Sequence, residues 1–170
     1  MKNLWVIGVA FFFFFGCQSE MEKDAAATQE ENIKNYITRQ LSGDTTITLV
    51  TNNHSYRLIK EKGQGNEIAF GDSISFAYIG SIFSSNGNHT RFDTNIDTLG
   101  FTPTVNNGKG IFFTGKYISG LENGLLGMKE GEISQIIFSS SQGYGNNAVG
   151  LVPPLSALVF DIEMITVKKQ

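Results

Sequence analysis

The sequence predicts an α+β fold: an antiparallel β-sheet with one short helix packed across one face. Large apolar side chains alternate with smaller or polar ones in three separate runs, at Ile74, Phe76 and Tyr78, at Ile136 and Phe138, and at Leu158, Phe160, Ile162 and Met164. A period of two places each set on one face of a strand. Between these runs Leu121, Leu125 and Met128 fall at i, i+4 and i+7, the stripe of a short helix, and Gly131 follows where such a helix ends. At 170 residues the chain has room for one domain.

The N-terminus stands apart from that domain. Lys2 carries the only early side-chain charge, and residues 4–15 are almost wholly apolar, with Phe11, Phe12, Phe13, Phe14 and Phe15 in an unbroken run. A stretch of about a dozen apolar residues falls short of the roughly 20 that span a bilayer. It matches the h-region of a secretory signal peptide, predicted here for residues 1–16. Successive Phe leave no polar face, which argues against a core helix. Gly16 and Cys17 follow directly and resemble the lipobox of bacterial lipoproteins, with Phe14 where Leu or Val is usual. Cys17 is therefore the expected lipidation site, on a protein exported to the cell envelope and held on a bacterial membrane, the outer membrane by preference. It is the single cysteine, so no intrachain disulfide can form.

Residues 17–28 are polar, small and rich in Ala, Glu and Lys, and read as a lipidated tether with too little apolar surface to order itself. Residues 29–62 read as an N-terminal helix and strands. Ile33, Tyr36, Ile37 and Leu41 predict a short amphipathic helix over 30–41, stopped by Ser42-Gly43-Asp44. Runs at 46–50 and 56–59 read as strands divided by Asn52-Asn53-His54. The main domain is assigned to 63–170. Within it, 94–110 is rich in Asn, Gly and Thr without a clear period; a stretch of that length is usually functional or mobile.

Composition excludes some functions. With 41% hydrophobic and 17% charged residues the chain is an ordinary globular protein, and a formal charge of −3 offers no general attraction for nucleic acid. Gly110-Ile111-Phe112-Phe113-Thr114-Gly115-Lys116 fits the first seven positions of a phosphate-binding loop, but Tyr117 replaces the Ser or Thr that holds Mg²⁺ and no βαβ pattern surrounds it. Asn53-His54-Ser55 and Asn88-His89-Thr90 are glycosylation sequons by pattern alone, a tripeptide common by chance. The two histidines have no cysteine near them, so neither a metal site nor a cofactor is expected.

From Gly71 onward the motifs converge. Gly71-Asp72 opens a strand ending Tyr78-Ile79-Gly80, followed by Asn86-Gly87 and then Arg91-Phe92-Asp93-Thr94. Downstream come Ile118-Ser119-Gly120-Leu121-Glu122-Asn123-Gly124-Leu125, then Met128-Lys129-Glu130-Gly131, Gly143-Tyr144-Gly145, and finally Val152-Pro153-Pro154-Leu155-Ser156-Ala157-Leu158-Val159-Phe160-Asp161-Ile162-Glu163. In this order they resemble the FKBP-type peptidyl-prolyl cis/trans isomerases over roughly 71–167, and the last stretch is the most specific.

The resemblance implies a curved antiparallel sheet wrapped on one short helix, and an enzyme that rotates X-Pro amides of exported polypeptides. It implies a wall formed by Tyr78, Phe92, Val152 and Phe160 over a floor at Leu121. Ile118 would supply a backbone N–H, Tyr144 a phenol at the rim, and Asp93 a carboxylate beside the substrate carbonyl within reach of Tyr78. Phe112 (or Phe113), Tyr117 and Leu151 would add substrate contacts. The chain departs from the family in three places: Leu121 stands for a Trp, Tyr117 for a Val, and 94–110 for a shorter segment. From periodicity alone, Tyr78, Phe92 and Phe160 could equally be core residues on inward strand faces. An FKBP-like binding or chaperone module with little turnover is the alternative function. A monomer is expected, with proline-containing polypeptides and a membrane as its partners and no nucleic acid.

Overall fold

The computed structural model describes residues 12–96, 109–111 and 115–170, with side chains from Glu20 onward except at 109–111. Most of the expected h-region, the Cys17 side chain, Phe112, Phe113 and most of 94–110 lie outside the described residues.

Helix α1 (Phe12–Gly43) leads into strands β1 (Thr48–Asn52) and β2 (Ser55–Glu61). Then come β3 (Ser73–Ile82), β4 (Thr90–Thr94), β5 (Lys109–Ile111), helix α2 (Ser119–Leu125), β6 (Ile133–Phe138), a 3₁₀ turn at Ser140–Gln142 and β7 (Leu158–Lys168). The strands form one antiparallel sheet in the order β1-β2-β6-β7-β3-β4, with β5 also paired to β3. β3 shares its outer edge: β4 takes Ile79 to Ile82 and β5 takes Ser73 to Ser75. Between them Asn95 reaches in, its Oδ1 accepting from Tyr78 N–H at 2.8 Å and its Nδ2 donating to the Phe76 carbonyl at 2.9 Å. Register shifts at Ser75/Phe76 against β7 and at Gly80/Ser81 against β4 are the irregularities that bend strands and curve a sheet.

Each face of the sheet carries a core. On one, α2 lays Leu121, Leu125 and the following Met128 against Phe76, Ile136, Phe138, Leu158, Phe160 and Ile162. On the other, Ile33, Tyr36 and Ile37 of α1 cover Tyr56, Leu58, Ile137, Ala157 and Val159. Cover on both faces is why β6 is buried almost continuously instead of alternately. Ile33 and Ile37 lose nearly all their exposure, and each such burial is worth about 1.5–3 kcal/mol.

Two expectations about the N-terminal part change. The helix predicted for 30–41 is the docked end of one that runs 32 residues from Phe12, and 18–28 is helical throughout. No Gly or Pro interrupts 18–42, and Ala25, Ala26, Ala27 and the flanking Glu, Lys and Gln are strong helix formers. Once residues 29–41 dock, the nucleation cost is met and the helix propagates into sequence that has no apolar stripe of its own. The predicted stop holds: Asp44 N–H bonds back to the Gln40 carbonyl at 3.0 Å. Among the described residues no helix is long and apolar enough to cross a membrane.

The β1–β2 hairpin also fixes α2. Buried Arg57 donates from Nη1 to the carbonyls of Gly124 (2.7 Å) and Leu126 (2.9 Å) and from Nη2 to Gly127 (3.3 Å), while its Nε lies 3.3 Å from Glu132. These are carbonyls that a helix C-terminus leaves without intrahelical partners. Ser55 Oγ adds a bond to the Gly120 carbonyl at 2.8 Å.

Candidate functional site

The site is assembled where α2 packs against the sheet. Gly120 and Gly124 allow the approach: a Cβ at either would lie 2.2 Å from Phe138 Cγ or Ile136 Cγ2. With α2 this close, Leu121 sits buried against the aromatic residues of β3 and β7. Ile118 precedes the helix in an extended conformation, and its carbonyl receives the N–H groups of Leu121 (2.9 Å) and Glu122 (3.1 Å). Buried Glu122 folds back so that its Oε1 accepts the Tyr117 N–H at 2.9 Å, which fixes the backbone entering Ile118.

Phe160, on β7, is the centre of the wall. It stacks on Phe138 with centroids 5.9 Å apart, meets Phe92 edge-on at 5.9 Å, and leans against Tyr78 at 6.2 Å. Gly80 pairs in register with both Asp93 and Phe160. A Cβ there would come within 2.9 Å of Phe160 and 3.1 Å of Phe92, so the two rings close over a bare backbone. Tyr117 packs edge-on against Phe76 at 5.9 Å.

A polar pair stands beside this apolar ground. Tyr78 O–H donates to Asp93 Oδ2 at 2.7 Å, and Asp93 Oδ1 accepts the Thr94 N–H at 2.9 Å. Burial first, and the bond to Asp93 next, hold the Tyr78 phenol well above its ordinary range; the nearby Tyr144 and Tyr117 push the same way. Tyr144 is raised by burial and by Asp93, and Tyr117 by burial and Glu122. All three phenols therefore stay protonated as hydrogen-bond donors at neutral pH.

The far side is the segment between the 3₁₀ turn and β7. Val149 and Val152 exchange two backbone bonds, at 3.0 and 2.9 Å, across a tight turn. Val152 is buried into the cluster, whereas Leu151 at the tip is 75% exposed.

Residues 65–165 match the family described as FKBP-type peptidyl-prolyl cis-trans isomerase. The chain belongs to this family. It is 32% identical over 109 residues to an FK506-binding protein of Neisseria meningitidis serogroup B, covering 63% of this chain and 90% of that one. It is 33% identical over 115 residues to FK506-binding protein 1A of Neurospora crassa, covering 65% of this chain and 85% of the relative. Among solved structures, FkpA from Escherichia coli superposes with a TM-score of 0.61 at 26% identity, over 89% of this chain and 64% of that one. A peptidyl-prolyl isomerase from Pseudomonas syringae shares the fold, with a TM-score of 0.58 at 19% identity over 91% of this chain and 96% of that one.

In this FKBP-type isomerase, Tyr78, Phe92, Tyr117, Ile118, Leu121, Tyr144, Val152 and Phe160 belong to a single cluster, with Asp93 joined to it through Tyr78. Leu151 stands outside the cluster at the turn tip. Phe112 lies outside the described residues. Motif reading passed over Gly80, Glu122 and Asn95 as working parts. Gly80 and Glu122 lie inside quoted motifs, but a motif does not say what a glycine or a carboxylate touches; Asn95 falls in the aperiodic stretch and left no signal.

Proposed function

We propose that this isomerase rotates X-Pro bonds of exported polypeptides by non-covalent means, at the surface formed by Tyr78, Phe92, Leu121, Val152 and Phe160. The planar amide resists rotation by about 18–20 kcal/mol because resonance is lost on twisting. A twisted amide has a less polar carbonyl, so an apolar, water-poor wall disfavours it less than it disfavours the planar form. Each 1.4 kcal/mol gained selectively by the twisted state raises the rate about tenfold. The proline ring would rest on Leu121 against Phe160, the Ile118 N–H would hold the following peptide, and the Tyr78–Asp93 pair would orient the carbonyl being turned. The observation that carries this reading is a polar pair, Tyr78 and Asp93 at 2.7 Å, beside the rings packed on Phe160. No bond is made or broken, so no nucleophile is required.

A second reading keeps the same surface and drops the turnover: a module that holds proline-containing segments. It rests on Leu121 standing where the family has an aromatic floor. A protease-coupled assay with short X-Pro peptides separates the two. Catalysis reduced severalfold or more by Asp93→Asn supports the enzyme; tight peptide binding with no acceleration by the wild-type chain supports the holdase.

We further propose export on residues 1–16 and lipid attachment at Cys17, with the protein acting as a monomer. Gln29, where α1 meets the domain, lies twelve residues on, about 18 Å of helix at 1.5 Å per residue. Residues 17–28 would then act as a stiff spacer. Labelled palmitate should enter the wild-type protein in a bacterial host and not Cys17→Ala; equal labelling of the two would refute the site.

A further inference from the structure

Gln29 lies outside the family match yet touches both ends of the loop that carries Tyr144, Leu151 and Val152. Its Oε1 accepts the Ser140 N–H at 2.7 Å and its Nε2 donates to the Leu155 carbonyl at 2.7 Å. One side-chain amide thus closes the neck of a loop whose ends are otherwise joined through Gly145, which bonds to the Ser140 carbonyl at 2.9 Å and receives the Leu155 N–H at 2.8 Å.

Leu155 makes the closure informative. It sits at φ 55°, a left-handed conformation that a branched side chain adopts only when its surroundings hold it there. Its N–H is fixed by Gly145 and its carbonyl by Gln29. Leu155 is half-buried, so packing holds it only in part. A cavity of about 360 Å³ touches Gln29, Phe83 and Leu155 on one side, and another of about 270 Å³ touches Ala26, Ser140 and Leu155 on the other. Beside these hollows, directional bonds help to hold the loop neck. Glu30 on the next position adds one more tie, accepting from Ser139 Oγ at 2.8 Å and from Tyr56 O–H at 2.7 Å.

We infer that Gln29 is a positioning residue for catalysis: helix α1, through this amide, sets the loop that places Tyr144 and Val152 against the proline. The inference rests on the isomerase reading above. It requires that loosening Gln29 changes the rim without unfolding the domain.

The test compares Gln29→Ala and Gln29→Glu with Ile37→Val, a variant that weakens the same helix face through its core contact alone. Each full chain is assayed for kcat and KM on an X-Pro peptide at a temperature well below its melting point, and amide hydrogen exchange is followed at Gly145, Val152 and Leu155. We expect Gln29→Ala to lower kcat/KM about fivefold to tenfold and to speed exchange at those amides at least tenfold. Gln29→Glu, which keeps the acceptor for Ser140 and loses the donor to Leu155, should fall in between. Ile37→Val should lower the melting temperature and leave both readouts within twofold of wild type. Gln29→Ala with unchanged loop exchange, or with faster exchange and wild-type kcat/KM, overturns the inference. If the wild-type chain itself shows no turnover, the isomerase reading fails and positioning for catalysis fails with it; exchange would then report only on the loop.

Discussion

Tyr78 and Gly80 show how two residues of one strand do opposite things for the site. Tyr78 brings a donor to an apolar wall, and Gly80 brings nothing so that Phe92 and Phe160 can meet. Tyr78→Phe keeps the ring and deletes the bond to Asp93. A net hydrogen bond of this kind is worth about 0.5–1.5 kcal/mol, so a small drop in melting temperature is expected, with kcat/KM lower by severalfold. Gly80→Ala should do more, because a methyl at 2.9 Å from Phe160 must displace a ring; overpacking of this kind costs about 1–3 kcal/mol. Stability curves and the peptide assay read both effects. Gly80→Ala that retains full activity would mean the two rings do not have to touch.

At the scale of elements, α2 is held by contact with β6 and by Arg57 at its C-terminal carbonyls. Gly120→Ala puts a Cβ inside the Phe138 ring at 2.2 Å, so α2 must lift and take Leu121 with it. A loss of about 3 kcal/mol or more is expected in denaturant unfolding, with activity falling in the fraction that stays folded. Strands β3, β6 and β7 and helix α2 were legible in the sequence because their apolar residues keep a period of two or of 3.6, whereas β4 and β5 carry no such period and the burial of both faces of β6 went unread. The full length of α1 was not, since residues 20–28 are helical by propensity and propagation and have no buried stripe to announce it. Polar residues that satisfy backbone at a distance, such as Gln29, Asn95 and Arg57, leave no periodic trace either. The aromatic wall is an intermediate case. Alternation placed Tyr78 and Phe160 on inward faces but could not separate a core face from a site; only the motif order did that.

For the molecule as a whole, stability depends on two cores sharing one sheet, and pH acts on the second. His89 packs against both Tyr36 of α1 and Phe83, with centroids 5.6 and 5.5 Å away, and its Nδ1 accepts the Ser84 N–H at 3.1 Å. Burial is the main cause of its lowered pKa; Lys60 adds to it and Asp161 opposes it. A histidine held neutral by the fold contributes stability that is present above its unfolded pKa, about 6.5, and is lost as pH falls below it. The melting temperature should therefore drop between pH 7.5 and 5, and His89→Asn should flatten that part of the profile. An unchanged slope in the variant would place the acid sensitivity elsewhere.

In the proposed mechanism, rings packed on Phe160 make a twisted X-Pro amide easier to reach than water does. The most direct measurement is the catalysed isomerisation rate of one X-Pro peptide with wild-type protein and with Phe160→Ala, at a temperature where both are folded by circular dichroism. Clear acceleration by the wild type is expected, with a loss of at least about tenfold in kcat/KM for the variant, equivalent to 1.4 kcal/mol of barrier. Equal rates for the two folded proteins would contradict it.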